Sequence, residues 1–373
     1  MLCNDNLTFS AGTMEAKAKE HDVQKACVLG SGAFGTALAQ LMARQGVPTT
    51  AWTRSQDVTD LINSSHENTP YLPGIKLSEL IVATTTVTDA TEGADIVFVV
   101  VPTPFVRAFI VKHRDSLPTG IPIVVCCKGI ENVSLLTPFE ILEEELPGKY
   151  HKHLACLSGP SFAREVALGK PTSVTVAAKD MQCAQMVQSI VSDLNFRIYT
   201  SDDVIGVELF GAVKNVLAIA CGASDGFDFG LNARAALITR GLAEISRMAV
   251  KKGASPLSMG SLCGLGDLVL TCTGSLSRNW TVGNRLAKGE DLDAITTSMR
   301  MVAEGVKTAA SVDALSTKMG VEMPICQQVF EVLHNKKPMM EALASLQGRP
   351  HSHDLSIELK YSDLWAGMGP SHP

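Results

Sequence analysis

The residues able to do chemistry in this chain fall into three groups: a glycine-rich turn near position 30, a lysine at 214 answered by a carboxylate at 267, and a polar triplet at 277–279. Gly30, Gly32 and Gly35 form a G-x-G-x-x-G directly after the apolar run 26–29 and at the mouth of a helical pattern. The first glycine permits a tight turn, the second lets backbone approach a pyrophosphate, and the third allows close helix–strand packing. Unpaired N–H groups at a helix start favour phosphate, so Gly30, Ser31, Gly32, Ala33, Phe34 and Gly35 are candidate coenzyme contacts. An ordinary tight turn would read the same way, but a second strand ends about 20 residues on, as a dinucleotide site requires. There the chain reads Trp52-Thr53-Arg54-Ser55, without the acidic residue that commonly meets a ribose 2′-OH. Arg54 can pair with a 2′-phosphate, stack on adenine or simply be a solvated cation, so NADP(H) stays open beside NAD(H).

Between Leu209 and Cys221, Lys214 is the only ionisable side chain other than cysteine, and its helical neighbours are Phe210, Gly211, Leu217 and Ala218. It is either the snorkelling edge of a core helix or a desolvated amine whose lowered pKa suits proton exchange with an alkoxide. Asp267 precedes the apolar run 268–270 and, if buried, needs a partner such as Lys214 or a substrate hydroxyl; an ordinary helix-start carboxylate is the alternative. Thr271, four residues on, shares its face if the stretch is helical. Lys128 follows the run 124–127, at the carboxyl end of an expected central strand, where open α/β sheets bind ligands. Ser161 is a credible N-cap of a helix entered from the loop 158–163. Ser277, Arg278 and Asn279 offer a hydroxyl, a planar fork and an amide in succession, donors suited to a phosphate dianion, although a solvated turn would have the same composition. His151 and His153, like His351 and His353, have no matching cysteine or carboxylate pattern, and no metal is expected.

The elements that must position these groups follow from patterning. Apolar runs at 26–29, 49–52, 96–101, 121–126, 154–157 and 173–178 alternate with helical segments, the mark of an α/β domain on a largely parallel sheet. Beyond Asp203 the pattern turns helical, with Ile238, Leu242, Ile245 and Ala249 on one face of a helix expected over 233–250, capped by Asn232 and closed by Gly253. The expected organisation is a flexible extension (1–22), a Rossmann-type dinucleotide-binding domain (23–203), a mostly α-helical substrate domain (204–349) and a flexible tail (350–373). A chain of 373 residues, 46% apolar and 19% charged, has ample material for such a core. A balance of 32 basic against 38 acidic residues, without a basic block, excludes a nucleic-acid partner. The apolar runs 96–101 and 216–221 are far short of the ~20 residues a membrane span needs, so no membrane insertion is expected. Ten scattered cysteines without C-x-x-C, and an N-terminus lacking a leader pattern, lead to an expected cytoplasmic location.

The blocks GSGAFGTAL (30–38), CKGI (127–130), SGPSFA (158–163), GAVKNV (211–216), NARAALITR (232–240), GLGDLVLTC (264–272) and SRN (277–279) occur in one order along the chain. In these the sequence resembles the soluble NAD(P)-dependent glycerol-3-phosphate dehydrogenases, in particular their bacterial-type branch. The resemblance implies reversible reduction of dihydroxyacetone phosphate to sn-glycerol 3-phosphate, a step supplying glycerophospholipid synthesis, by a homodimer using NAD(H) or NADP(H). It further implies Lys214 as the catalytic lysine, helped by Lys128 and Asp267. Substrate contacts fall on Lys128, Gly159, Ser161, Lys214, Asn215, Asp267, Thr271, Ser277, Arg278 and Asn279. Coenzyme contacts fall on the glycine turn and on Trp52, Arg54, Pro102, Lys128, Ala163, Arg278, Val302 and Glu304. Two other readings compete: a hydroxy-acid dehydrogenase of the wider two-domain group, separated by substrate charge, and a coenzyme-binding sensor without turnover, disfavoured by the presence of both Lys214 and Asp267.

Overall fold

The computed structural model describes residues 23–299 and 303–350; the extension 1–22, the tail beyond Pro350 and Val302 lie outside the described residues. The first half alternates strand and helix: β1 (Ala26–Leu29), α1 (Ala33–Arg44), β2 (Thr49–Trp52), α2 (Gln56–Ser65), β3 (Ile81–Thr84), α3 (Val87–Thr91), β4 (Ile96–Val99), α4 (Thr103–His113), β5 (Ile123–Val125), α5 (Pro138–Glu145), β6 (Leu154–Ser158), α6 (Ala163–Ala167), β7 (Thr172–Ala177), α7 (Met181–Val191) and β8 (Phe196–Ser201). The strands form one sheet in the order β3-β2-β1-β4-β5-β6-β7-β8. Every pairing is parallel except β6 with β7. β1 and β4 are buried at every residue, because a parallel strand covered by helices on both faces has no solvent side, and this is why they stand out as unbroken apolar runs.

Two strands lie outside the six runs legible in the sequence, and both are at sheet edges. β3 buries Ile81 and Ala83 but exposes Val82, and β8 turns Phe196 and Ile198 inward while Arg197 and Tyr199 face out. An edge strand with one wet face carries an alternating pattern too short to separate from a loop. The strand order reverses at β1 and β4, and ligands of such sheets bind at the carboxyl ends near that switch. Gly30, Pro102 and Lys128 follow the ends of β1, β4 and β5 respectively.

The second half is helical: α8 (Val204–Gly226), α9 (Gly230–Lys252), α10 (Asp267–Thr273), α11 (Arg278–Ala287), α12 (Leu292–Ser298), α13 (Glu304–Met319), α14 (Pro324–His334) and α15 (Met339–Gln347). Asp203 caps α8 by accepting the Gly206 N–H at 2.9 Å, and α9, α10, α11 and α13 pack around it. By length and composition α8 could cross a membrane, a longer apolar stretch than the short runs weighed in the sequence, yet 89% of its most apolar window is buried inside the protein. It is the core helix of this half, and Lys214 and Asn215 sit in its middle. α9 starts earlier than expected. Gly230, at φ 85°, makes the turn that launches it, so Asn232 lies exposed within the first turn and is not the cap. Its far end is as read: Lys251 and Lys252 precede Gly253, left-handed at φ 103°.

Candidate active site

At the turn after β1, Gly30 has φ +117°, and a Cβ there would come within 2.8 Å of the Val100 carbonyl oxygen. A Cβ at Gly35 would lie 1.8 Å from the Gly30 oxygen, so both positions exclude any side chain. Gly32 is different: its Cβ would meet no atom of the described residues within 4 Å, so its bareness serves an approach from outside rather than internal packing. No side chain caps α1 and no acidic residue occupies its first turn, leaving the N–H groups of Ala33, Phe34 and Gly35 at a positive helix end. This turn fits a pyrophosphate. Ser31 is buried and its hydroxyl donates to the Trp52 carbonyl at 2.9 Å. The Trp52 ring packs on Phe109 at 4.9 Å while Arg54 is exposed just past β2. Pro102 precedes α4 as its cap residue.

The helical half brings three buried groups together, and the sheet adds a fourth. Asp267 is 1% exposed and Lys214 5%, and Lys214 Nζ donates to Asp267 Oδ1 at 2.9 Å and to Thr271 Oγ1 at 2.7 Å. Thr271 in turn donates to the Asp267 carbonyl at 2.6 Å, the four-residue spacing of α10 placing them on one face. Lys128 reaches across from the sheet to Asp267 Oδ2 at 2.7 Å and to the Gly159 carbonyl at 3.2 Å. That second ammonium on Asp267 is the feature the sequence reading lacked, since nothing local at position 128 points 139 residues ahead. Burial alone would raise the Asp267 pKa, but Lys128 and Lys214 together outweigh it and hold the carboxyl below its ordinary value. Burial lowers Lys214 to about 8, with Lys128 adding to the fall and Asp267 opposing it. An ammonium has three N–H donors. Among the described residues Lys214 and Lys128 each donate two, which leaves each one for another acceptor.

The remaining candidates divide. Ser161 donates to the Gly159 carbonyl at 2.9 Å and does not cap α6, whose cap position is Phe162, because the hydroxyl turns back into its own loop. Ala163 is the first residue of α6 and is half-buried. Ser277 caps α11 by accepting the Trp280 N–H at 3.3 Å. Asn279 is buried, donates to Asn215 Oδ1 at 2.9 Å and accepts the Gly305 N–H at 3.0 Å, tying α8, α11 and α13 together. Of the triplet, Arg278 alone is exposed. Glu304 begins α13; burial raises its pKa against the opposing pull of Arg278, Lys128 and Lys214. His151 Nε2 lies 2.9 Å from the Leu146 carbonyl, and His351 and His353 lie outside the described residues.

Residues 25–184 match the family model described as NAD-dependent glycerol-3-phosphate dehydrogenase N-terminus, and residues 203–344 match the one described as its C-terminus. A glycerol-3-phosphate dehydrogenase (NAD(P)+) of Anaeromyxobacter dehalogenans is 49% identical over 331 residues, 89% of this chain and 100% of that one. The Bacillus velezensis protein of the same name is 44% identical over 333 residues, covering 89% and 96%. Among solved structures, glycerol-3-phosphate dehydrogenase from Coxiella burnetii superposes with a TM-score of 0.82 at 36% identity, over 87% of this chain and 99% of the other.

Proposed function

Since the chain belongs to the NAD-dependent glycerol-3-phosphate dehydrogenase family, we propose that the cluster of buried Asp267, Lys214 and Thr271 with the partly exposed Lys128 is its reaction centre. The protein is an oxidoreductase that interconverts dihydroxyacetone phosphate and sn-glycerol 3-phosphate with NAD(P)(H). The observation that carries the assignment is Lys214 itself, an amine on an apolar helix, anchored by two hydrogen bonds with one donor left.

When bound, the nicotinamide supplies the hydride; Gly30, Ser31, Gly32, Ala33, Phe34 and Gly35 would hold its pyrophosphate, with Trp52, Arg54, Pro102, Ala163 and Glu304 along the rest. Negative charge grows on the substrate oxygen as its carbon is reduced, and a dry site cannot tolerate a bare alkoxide. Lys214 meets that charge with its remaining N–H and passes the proton to the oxygen. Its lowered pKa makes it a stronger proton donor to that oxygen than an ordinary lysine. Asp267, anionic between two ammoniums, keeps Lys214 aimed, and Thr271 fixes its second N–H. Lys128 offers its spare donor to substrate or coenzyme from the sheet side, beside Gly159 and Ser161. Arg278 grips the phosphate, with Ser277 and Asn279 shaping the start of α11 that presents it and Asn215, in the middle of α8, accepting from Asn279. Val302 belongs to the coenzyme set by family position alone.

The same reading makes the protein a cytoplasmic homodimer feeding glycerophospholipid synthesis. Its support is the family and the nine described cysteines, all thiols and eight of them buried, as suits a reducing compartment. The test is direct: purified protein should oxidise NADH or NADPH when given dihydroxyacetone phosphate. Comparable turnover with unphosphorylated dihydroxyacetone would sink the phosphate assignment.

A further inference from the structure

Asn68 lies in the loop after α2, is 0% exposed, and has no place among the groups described above. Its Nδ2 donates to the Ser31 carbonyl at 2.9 Å and to Thr36 Oγ1 at 2.7 Å, 37 and 32 residues back along the chain. Thr36 Oγ1 also donates to the Ser31 carbonyl, at 3.3 Å, so that one oxygen of the glycine turn is held from two sides. The orientation of the amide is fixed by its partners, because a carbonyl oxygen only accepts and the flipped amide would set oxygen against oxygen. The other end, Oδ1, is buried with no hydrogen-bond partner among the described residues. Leaving a buried acceptor unmet costs free energy, so this side chain is not there for its own satisfaction.

The consequence follows from peptide geometry. The Ser31–Gly32 peptide is trans, as are all those described, so its C=O and N–H point to opposite sides. Pinning the Ser31 carbonyl inward therefore aims the Gly32 N–H outward, at the one glycine of the turn whose missing side chain would have met no atom of the described residues. We infer that Asn68, with Thr36 as its relay, is a positioning residue for coenzyme: it locks the Ser31–Gly32 peptide in the orientation that offers the Gly32 N–H to a dinucleotide pyrophosphate. Asn68 touches neither substrate nor coenzyme and acts through the turn. The inference rests on the coenzyme reading of that turn.

The experiment is a coenzyme titration, by quenching of protein fluorescence with NADH and separately with NADPH, on the full-length chain and four variants. Asn68→Asp keeps the shape but places an acceptor against the Ser31 carbonyl, and Asn68→Ala removes the strut. Thr36→Val removes the relay hydroxyl, whereas Thr36→Ser keeps it. Both Asn68 variants should bind coenzyme about tenfold more weakly or worse, the size of one or two lost hydrogen bonds. Thr36→Val should follow in the same direction and Thr36→Ser should stay near wild type. At saturating coenzyme, kcat and the KM for dihydroxyacetone phosphate should stay within about threefold, a split that general loosening of the fold would not produce. Coenzyme affinity unchanged in both Asn68 variants overturns the inference, and so does an equal loss in substrate KM and kcat. If the Asn68 variants do not fold, the Thr36 pair decides, and equal affinity of Val and Ser variants overturns it. Wild-type protein that binds neither coenzyme overturns the coenzyme reading itself, whereas normal wild-type binding with unaffected variants overturns this assignment alone.

Discussion

Replacing Lys214 by Met keeps the length and the apolar stem of the side chain and removes only the ammonium. The change breaks one of the two ion pairs on Asp267 and the hydrogen bond to Thr271, while Lys128 still holds Asp267 Oδ2 at 2.7 Å. The carboxylate is thus not left bare. Burial already disfavours the Lys214 charge, as its fall to about 8 shows, so the loss of that charge removes a desolvation cost together with the pairing. The fold should therefore survive with a modest stability change. The rate should not. Losing a positioned proton donor slows reactions by about 10²–10⁴-fold, or roughly 3–5 kcal/mol of barrier. Coenzyme affinity should be untouched, because the glycine turn belongs to the sheet. The assay is single-turnover oxidation of bound NADH or NADPH by dihydroxyacetone phosphate, with coenzyme binding followed by fluorescence quenching. A Met variant that binds coenzyme normally and turns over within a few-fold of wild type would refute the role of Lys214 and move attention to Lys128.

Three other outcomes are expected. Arg278→Lys keeps the charge but loses the planar fork, so kcat/KM for dihydroxyacetone phosphate should fall by an amount equivalent to about 2–3 kcal/mol; retention of near wild-type kcat/KM places Arg278 outside the site. Arg54→Ala should raise the KM for NADPH and leave that for NADH alone, and an unchanged NADPH KM disproves the 2′-phosphate contact. Glu208, buried on α8 and accepting the Phe139 N–H at 2.8 Å, is pushed up to about 8 by burial. The native state then holds a proton that the unfolded chain releases near its ordinary 4.5, so wild type should lose stability as pH rises from about 4.5 to about 8. Glu208→Gln keeps the acceptor without the charge and should remove most of that loss, on the order of 3 kcal/mol between pH 5 and pH 8, read as denaturant midpoints at the two pH values; parallel curves would show that Glu208 is not the group responsible.

What was legible in the sequence was whatever local pattern encodes. β1 and β4 showed themselves because fully buried strands need an apolar residue at every position, and the glycine turn because three backbone constraints fall within six residues. β3 and β8 did not, each having one wet face. The pairing of Lys214 with Asp267 could be argued from burial cost, since both sit in apolar runs. The second cation on Asp267 could not, because Lys128 arrives from another layer of the fold through a contact only tertiary structure creates. Ser161 and Asn232 fail as caps for the complementary reason: a capping residue type is common, and where a helix starts was decided by the neighbouring turn, at Phe162 and Gly230. Asn68 carried no chemical signature at all, its role depending on a fold that lays its loop against the turn after β1.

If Lys214 passes the proton to the substrate oxygen, the pH dependence of single-turnover reduction of dihydroxyacetone phosphate must differ between wild type and Lys214→Arg. A lysine lowered to about 8 is ammonium below that value and spent above it, so the wild-type reduction rate should fall as pH rises through about 8 while the reverse oxidation gains. Arginine stays charged throughout, so the variant should be slower at every pH and lack that falling limb. A variant that keeps the wild-type limb near pH 8 would show that another group delivers the proton.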